Sequence, residues 1–206
     1  NMAESKAYLD EAKKFLKKSD PVLAKLFGKV QPYVLRPSKN YFESLTDAII
    51  SQQLSGKAAD TIIKRFKALF PGGKFPTPAE VLAKTDAELR TVGVSGAKAS
   101  YIKNIASGFE DGSLDFKHIN KKSDEEIIEM LVKVKGIGRW TAEMFLIFSL
   151  GRMDIFSFGD LGLRNGVKKV YGLRKDPSPA KLKQLSAKWQ PYRTCASLYL
   201  WASLDN

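Results

Sequence analysis

Two residue types that carry much of protein chemistry are almost missing from this chain. Its 206 residues include one cysteine, Cys195, and one histidine, His118. A lone thiol gives no disulfide framework and fits a reducing compartment. One imidazole beside one thiol cannot assemble a zinc site or a Ser-His-Asp triad. No apolar run approaches the ~18 residues of a membrane span. The charged, amphipathic opening carries no signal-peptide pattern, so an intracellular protein with no membrane partner is expected. Acidic residues are also scarce, with 22 Asp and Glu against 34 Lys and Arg and a net charge of +12. That excess asks for a polyanionic partner such as nucleic acid. The chemistry left to the chain is that of carboxylates, hydroxyls, lysines and aromatic rings.

Period-two alternation is absent too, which excludes a β architecture. What is present is helical periodicity broken by Pro, Gly and capping residues. Helices are expected over Glu4–Ser19, from Asp20-Pro21 to Gly28, over Asn40–Leu54 and Lys57–Phe70, and near Ala79–Ala83. Thr85-Asp86-Ala87-Glu88 is a capping box that starts another short helix. Further helices follow at Ala97–Ser107, Asp124–Lys133 (opened by a second box, Ser123 to Glu126), Trp140–Leu150, Asp160–Tyr171, Ala180–Trp189 and Tyr192–Leu204. Residues 108–120 read as loop. The pattern predicts an all-α protein of about ten helices in two lobes, 40–118 and 1–39 with 119–206.

One stretch organises the rest. Leu131 to Asp160 reads as helix, tight glycine hairpin, helix, and a turn ending in a carboxylate. In Lys135-Gly136-Ile137-Gly138-Arg139 the two glycines let the backbone take positive φ and approach a ligand closely. The helix after it points unpaired N–H groups outward, which suits phosphate. A plain helix–turn–helix corner followed by an N-cap aspartate is the structural alternative. Thr91 to Lys98 is a second glycine hairpin, or simply a C-cap turn followed by a solvated lysine.

These residues resemble the helix–hairpin–helix DNA glycosylase superfamily (HhH-GPD). Gly136-Ile137-Gly138-Arg139-Trp140-Thr141-Ala142 is similar to its alkylated-base branch, the AlkA and Mag types of 3-methyladenine DNA glycosylase. The loop Ser157-Phe158-Gly159-Asp160 keeps the family's Gly and Asp but lacks its Pro. The resemblance implies double-stranded DNA holding a damaged or abasic site as the partner, bound in a cleft between the lobes by a monomer in the nucleus. It makes Asp160 the catalytic carboxylate and puts Trp140, Met144 and Trp201 around the base, with Met144 standing where the AlkA type has an aromatic ring. It makes Gln53, in Gln52-Gln53-Leu54-Ser55, the side chain that fills the gap left by a flipped nucleotide. Ser55 beside it is too small for a strong minor-groove contact, and the two glutamines can also be read as a cap on the preceding helix. Gly93, Ser95 and Lys98 of the second hairpin, and Gly136, Gly138, Arg139 and Thr141 of the first, are implied to meet DNA. The carbonyls of Val132, Val134 and Ile137 match positions that hold a monovalent cation, Na+ or K+. No other cofactor is expected: a single cysteine rules out the four-thiolate iron–sulfur cluster of some relatives. Pro191-Tyr192-Arg193 also matches a family segment, with Arg193 supporting the site, contacting phosphate or simply solvated.

The chemistry fits the residues available. Purines alkylated at N3 or N7 (3-methyladenine, 7-methylguanine) are cationic leaving groups, so acid catalysis by histidine is dispensable. Aromatic faces attract such cations. Loss of the base leaves an oxocarbenium-like sugar that a fixed carboxylate stabilises. A helix N-terminus favours the negative charge of Asp160. In relatives that also cut the strand, the residue after the hairpin is a Schiff-base lysine. Here it is Trp140, so a monofunctional enzyme active on alkylated purines and etheno-adenine is expected, without lyase activity. The alternative is a lesion- or abasic-site-binding protein of the same fold with little hydrolysis. A non-specific hairpin module has no use for Gln53, Asp160 and Trp201 together.

Overall fold

Short polar caps and prolines divide the chain into helices, as the periodicity predicts. The computed structural model describes residues 2–3 and 5–205. Among them are twelve α-helices and no strand, and no helix is long and apolar enough to cross a membrane. Three of the twelve, α2 (Pro21–Ala24), α5 (Pro78–Leu82) and α6 (Asp86–Arg90), have only four or five residues, and all twelve fall on stretches expected to be helical. The expected first residue of the first helix, Glu4, lies outside the described residues. That helix, α1, runs over Lys6–Ser19, and Ser5 caps it by accepting the Tyr8 N–H at 3.0 Å. The second helix ends at Ala24, and turns rather than helix continue to Lys29.

The chain divides into two compact units. One is Ser38–Ala142; the other runs up to Pro37 and resumes at Glu143. The first boundary falls beside the expected 39/40. The second falls within α9 (Arg139–Phe148), not at 118/119. The reason is local packing: α7 (Gly96–Asp111) carries Tyr101 against Gly136 and donates from Asn104 Nδ2 to the Lys135 carbonyl at 3.2 Å. The main hairpin therefore belongs with α7.

In the unit 38–142, α3 (Tyr41–Ser51) and α5 pack on α7. Phe42, Leu45, Ile49, Ile102 and Ile105 are buried there. Helix α4 (Gly56–Ala68) follows α3 and buries Ala59 and Phe66. α7 runs past its expected end, through Gly108 to a left-handed Gly112. Gly108 sits mid-helix because Leu114 folds back on it: a Cβ there would lie 2.8 Å from Leu114 Cγ. α8 (Asp124–Val132) has the expected capping box and buries Ile127, Ile128 and Leu131.

In the other unit, α10 (Leu161–Val170) and α1 pack on α12 (Arg193–Ala202), and α11 (Pro179–Ala187) precedes α12. Asp20 is a buried junction, 2% exposed. It accepts the Leu23 N–H at 3.2 Å, Trp189 Nε1 at 2.8 Å and the Tyr171 hydroxyl. An anion so buried is tolerable because three donors replace its water.

Candidate functional site

Asp160 sits where a turn meets a helix. It is the N-cap of α10, and its Oδ1 accepts the Leu163 N–H at 2.8 Å. The same oxygen accepts Trp201 Nε1 at 2.9 Å, so the residue caps α10 and holds Trp201 at once. Asp160 is 8% exposed. The segment leading to it is pinned by α12. Arg193 binds Asp154 through Nε at 2.8 Å and Nη2 at 3.2 Å. Thr194 Oγ1 donates to the Arg152 carbonyl at 2.6 Å and accepts the Ile155 N–H at 3.0 Å. Ser197 Oγ donates to the Ile155 carbonyl at 2.9 Å. Arg193 thus shapes the approach to Asp160 through Asp154, an ion pair that sets its guanidinium to this structural task.

Two glycines that the sequence reading passed over set the spacing. A Cβ at Gly162 would lie 3.1 Å from Asp160 Oδ1 and 3.1 Å from Trp201 Nε1. A Cβ at Gly166 would lie 2.8 Å from the Leu200 carbonyl oxygen. One helical turn apart, they let α10 lie directly on α12, and that approach is what brings Trp201 to Asp160. Their signal was in the sequence as small residues at i and i+4 on an otherwise bulky helix. Trp201 is half-buried and stacks on Phe148, centroids 5.6 Å apart at 29°. Phe148 in turn meets the edge of Tyr33 at 5.7 Å, and Tyr33 is 62% exposed. Neither Phe148 nor Tyr33 was foreseen. The half-buried Met144 lies four residues before Phe148, on the same face of α9. Buried Glu143 accepts the Ser157 hydroxyl at 2.8 Å, a further fixed point in the loop before Asp160.

The other predicted residues lie in the unit 38–142. Trp140 is 48% exposed at the start of α9. Of the hairpin glycines only Gly136 has a positive φ, 112°. Gly138 does not, and a Cβ on it would meet nothing within 4 Å. At Gly136 a Cβ would fall 2.4 Å from Tyr101 Cγ, so that position admits glycine alone. Three expected DNA contacts differ in detail. Thr141 is 5% exposed, its side chain turned into protein. Arg139 holds Glu125 with two bonds of 2.8 and 3.0 Å, and this pairing keeps the Glu125 carboxyl below its ordinary range. Lys98 turns inward: its ammonium donates to the Ile50 carbonyl at 2.8 Å and the Gln52 carbonyl at 2.7 Å. Withdrawal from water lowers its pKa.

Gln53 has φ 59°, in the left-handed region, and its side chain is exposed. Ser55 caps α4 by accepting the Ala58 N–H at 3.2 Å. Gly93 has φ 105°, and Ser95 caps α7 by accepting the Lys98 N–H at 3.1 Å. At the main hairpin, the Val134 carbonyl accepts the Ile137 N–H at 3.0 Å. No cluster of His, Cys, Asp and Glu able to hold a metal exists among the described residues.

A helix–hairpin–helix followed, one helix later, by a carboxylate at a helix N-terminus defines a class of DNA repair protein. The chain belongs to the HhH-GPD superfamily of base excision DNA repair proteins, whose pattern matches residues 46–191. It is 41% identical over 180 residues to DNA-3-methyladenine glycosylase 1 of Schizosaccharomyces pombe, covering 87% of this chain and 79% of that protein. It is 37% identical over 195 residues to the alkylbase DNA glycosidase-like protein mag2 of the same yeast, covering 92% and 91%. Among solved structures it resembles the S. pombe 3-methyladenine DNA glycosylase Mag1 in complex with abasic DNA, with TM-score 0.82, 37% identity, and 95% and 97% of the two chains covered.

Proposed function

We propose that this chain is a monofunctional DNA glycosylase that hydrolyses the N-glycosidic bond of alkylated purines in double-stranded DNA. The observation that carries the reading is Asp160, a carboxylate fixed at the N-terminus of α10 by Leu163 N–H and Trp201 Nε1. The nucleotide leaves the stack first, at a cost of a few kcal/mol, which is about the energy of unstacking and unpairing. The exposed Gln53 occupies the gap. The cationic base lies against Trp201, whose aromatic face favours positive charge, and against the apolar Met144. Asp160 stabilises the oxocarbenium-like sugar and orients water as the base departs. Backbone N–H groups of Gly136 and Gly138 hold phosphate, while that of Ile137 is bound to the Val134 carbonyl. The neutral carbonyl oxygens of Val132, Val134 and Ile137 suit a Na+ or K+ ion; the Val134 oxygen keeps a second lone pair beside its bond to Ile137 N–H. When bound, such an ion would supply positive charge to the phosphate. Trp140 in place of lysine supports the absence of a lyase step. The chain works as a monomer, and its place of work follows its substrate, the nucleus.

Single-turnover base release from a duplex with one 3-methyladenine or etheno-adenine tests this. Wild type releases base, Asp160→Asn loses about 100-fold or more, as when a charge-stabilising group is removed, and both bind an abasic-site analogue. No release by wild type beside tight abasic-site binding would overturn the enzyme and leave a lesion-binding protein. A borohydride-trapped complex would overturn the monofunctional assignment.

A further inference from the structure

The loop that carries Gln53 is held from outside. Helix α3 ends at Ser51, and its last carbonyls have no partner inside the helix. Gln52, the C-cap, has φ −53° and ψ 128°, and the next residue, Gln53, is at φ 59°. A left-handed conformation is unfavourable for a residue with a side chain and persists where its surroundings hold it. What surrounds it is Lys98: its ammonium bridges the Ile50 and Gln52 carbonyls. A cation at a helix C-terminus also complements the helix dipole. The Gln52 carbonyl belongs to the peptide that joins Gln52 to Gln53, so the bridge fixes the plane from which Gln53 departs. Lys98 is itself fixed, since its own N–H is bound by the Ser95 hydroxyl at the start of α7. The family resemblance puts this lysine against DNA; the geometry gives its charge a different task.

We propose that Lys98 is a positioning residue for Gln53: it sets the Gln52–Leu54 loop in its opened-duplex conformation before DNA arrives. This rests on the reading of Gln53 as the side chain that fills the vacated stack. A loop ordered in advance spends none of its binding energy on ordering. The benefit belongs to the opening step, so it applies to a paired lesion and not to one already unpaired.

The experiment compares wild type, Lys98→Met, Lys98→Arg and Gln53→Ala. Base release is measured from one lesion placed in a fully paired duplex and in a single-nucleotide bulge. Hydrogen exchange of the free proteins is followed at Gln53, Leu54 and Ser55, with Ile102 and Ile105 of α7 as internal controls. Lys98→Met, which removes both bonds, lowers the paired-to-bulged rate ratio at least about ten-fold, as loss of hydrogen bonds to a charged group does, and Gln53→Ala lowers it alike. Lys98→Arg, which keeps donors, restores part of the ratio. Exchange in the loop of Lys98→Met quickens while the α7 amides hold. Equal losses on both substrates, or unchanged exchange in the loop, overturn the proposal. If wild type releases base from neither substrate, the glycosylase reading fails by itself, and hydrogen exchange still decides whether Lys98 holds the loop.

Discussion

Replacing Gly162 by alanine tests whether the Trp201–Asp160 contact matters to the reaction. The added Cβ would lie 3.1 Å from Asp160 Oδ1 and from Trp201 Cδ1 and Nε1. Ordinary contacts need about 3.5 Å or more, so the two side chains must part by roughly 0.5 Å. The 2.9 Å bond between them then stretches to the edge of hydrogen bonding. A hydrogen bond to a charged group is worth about 1.5–3 kcal/mol, which is about a 10- to 150-fold fall in single-turnover rate. Stability moves differently: alanine is better than glycine inside a helix by up to about 1 kcal/mol, which offsets the crowding. The expected signature is a large loss of rate with little change in Tm. Gly159→Ala is the matched control, one residue before Asp160, where a Cβ meets nothing within 4 Å. Equal rates for Gly162→Ala and Gly159→Ala would mean that the Trp201–Asp160 bond contributes nothing to the reaction.

Other substitutions have equally defined outcomes. Gly136→Ala, with φ 112° and Tyr101 Cγ 2.4 Å from the new carbon, costs about 3 kcal/mol from backbone strain and overpacking, read by urea denaturation, whereas Gly138→Ala stays near wild type in stability. Gly166→Ala, 2.8 Å from the Leu200 oxygen, destabilises by about 1–3 kcal/mol in the same assay. Glu125→Gln removes the carboxylate charge that Arg139 holds; stability changes by under about 1 kcal/mol because the pair is exposed, while DNA binding tightens at low salt because one negative charge leaves this surface. Asp47 is pushed up to about 7 by burial and by Glu43, against the opposing pull of Lys67. Its folded pKa is raised, so the folded state holds the proton more tightly and loses stability as pH climbs from about 4 to 7. Asp47→Asn therefore gains stability over that range and keeps a constant gain above it, about 1–2 kcal/mol after discounting for its partial exposure, measured as Tm against pH.

The helices were legible because their ends are written in short polar residues. Thr85 to Glu88 and Ser123 to Glu126 are capping boxes in the folded chain as in the sequence. Boundaries failed where a distant side chain decided them. Nothing local announces that Leu114 carries α7 past Gly108, or that Tyr101 and Asn104 draw the main hairpin to α7. The candidate site shows the same limit. The family resemblance pointed to Asp160 and Trp201, which do meet. Lys98 and Arg139 were read as free charges, because the sequence does not show that the end of α3 and Glu125 come within their reach. Gly162 and Gly166 stand four residues apart in the sequence, but what packs against them does not show there.

The three tryptophans occupy three different environments, and this gives the protein built-in optical labels. Trp140 is 48% exposed, so its emission belongs at long wavelength and within reach of aqueous quenchers. Trp189 is fully buried and bonded to Asp20; its emission, bluer and shielded, reports only global unfolding. Trp201, half-buried between Phe148 and Asp160, responds to whatever enters beside the carboxylate. Single Trp→Phe replacements would separate the signals, so that hairpin engagement, occupancy beside Asp160 and loss of the fold could be followed in one cuvette without a dye.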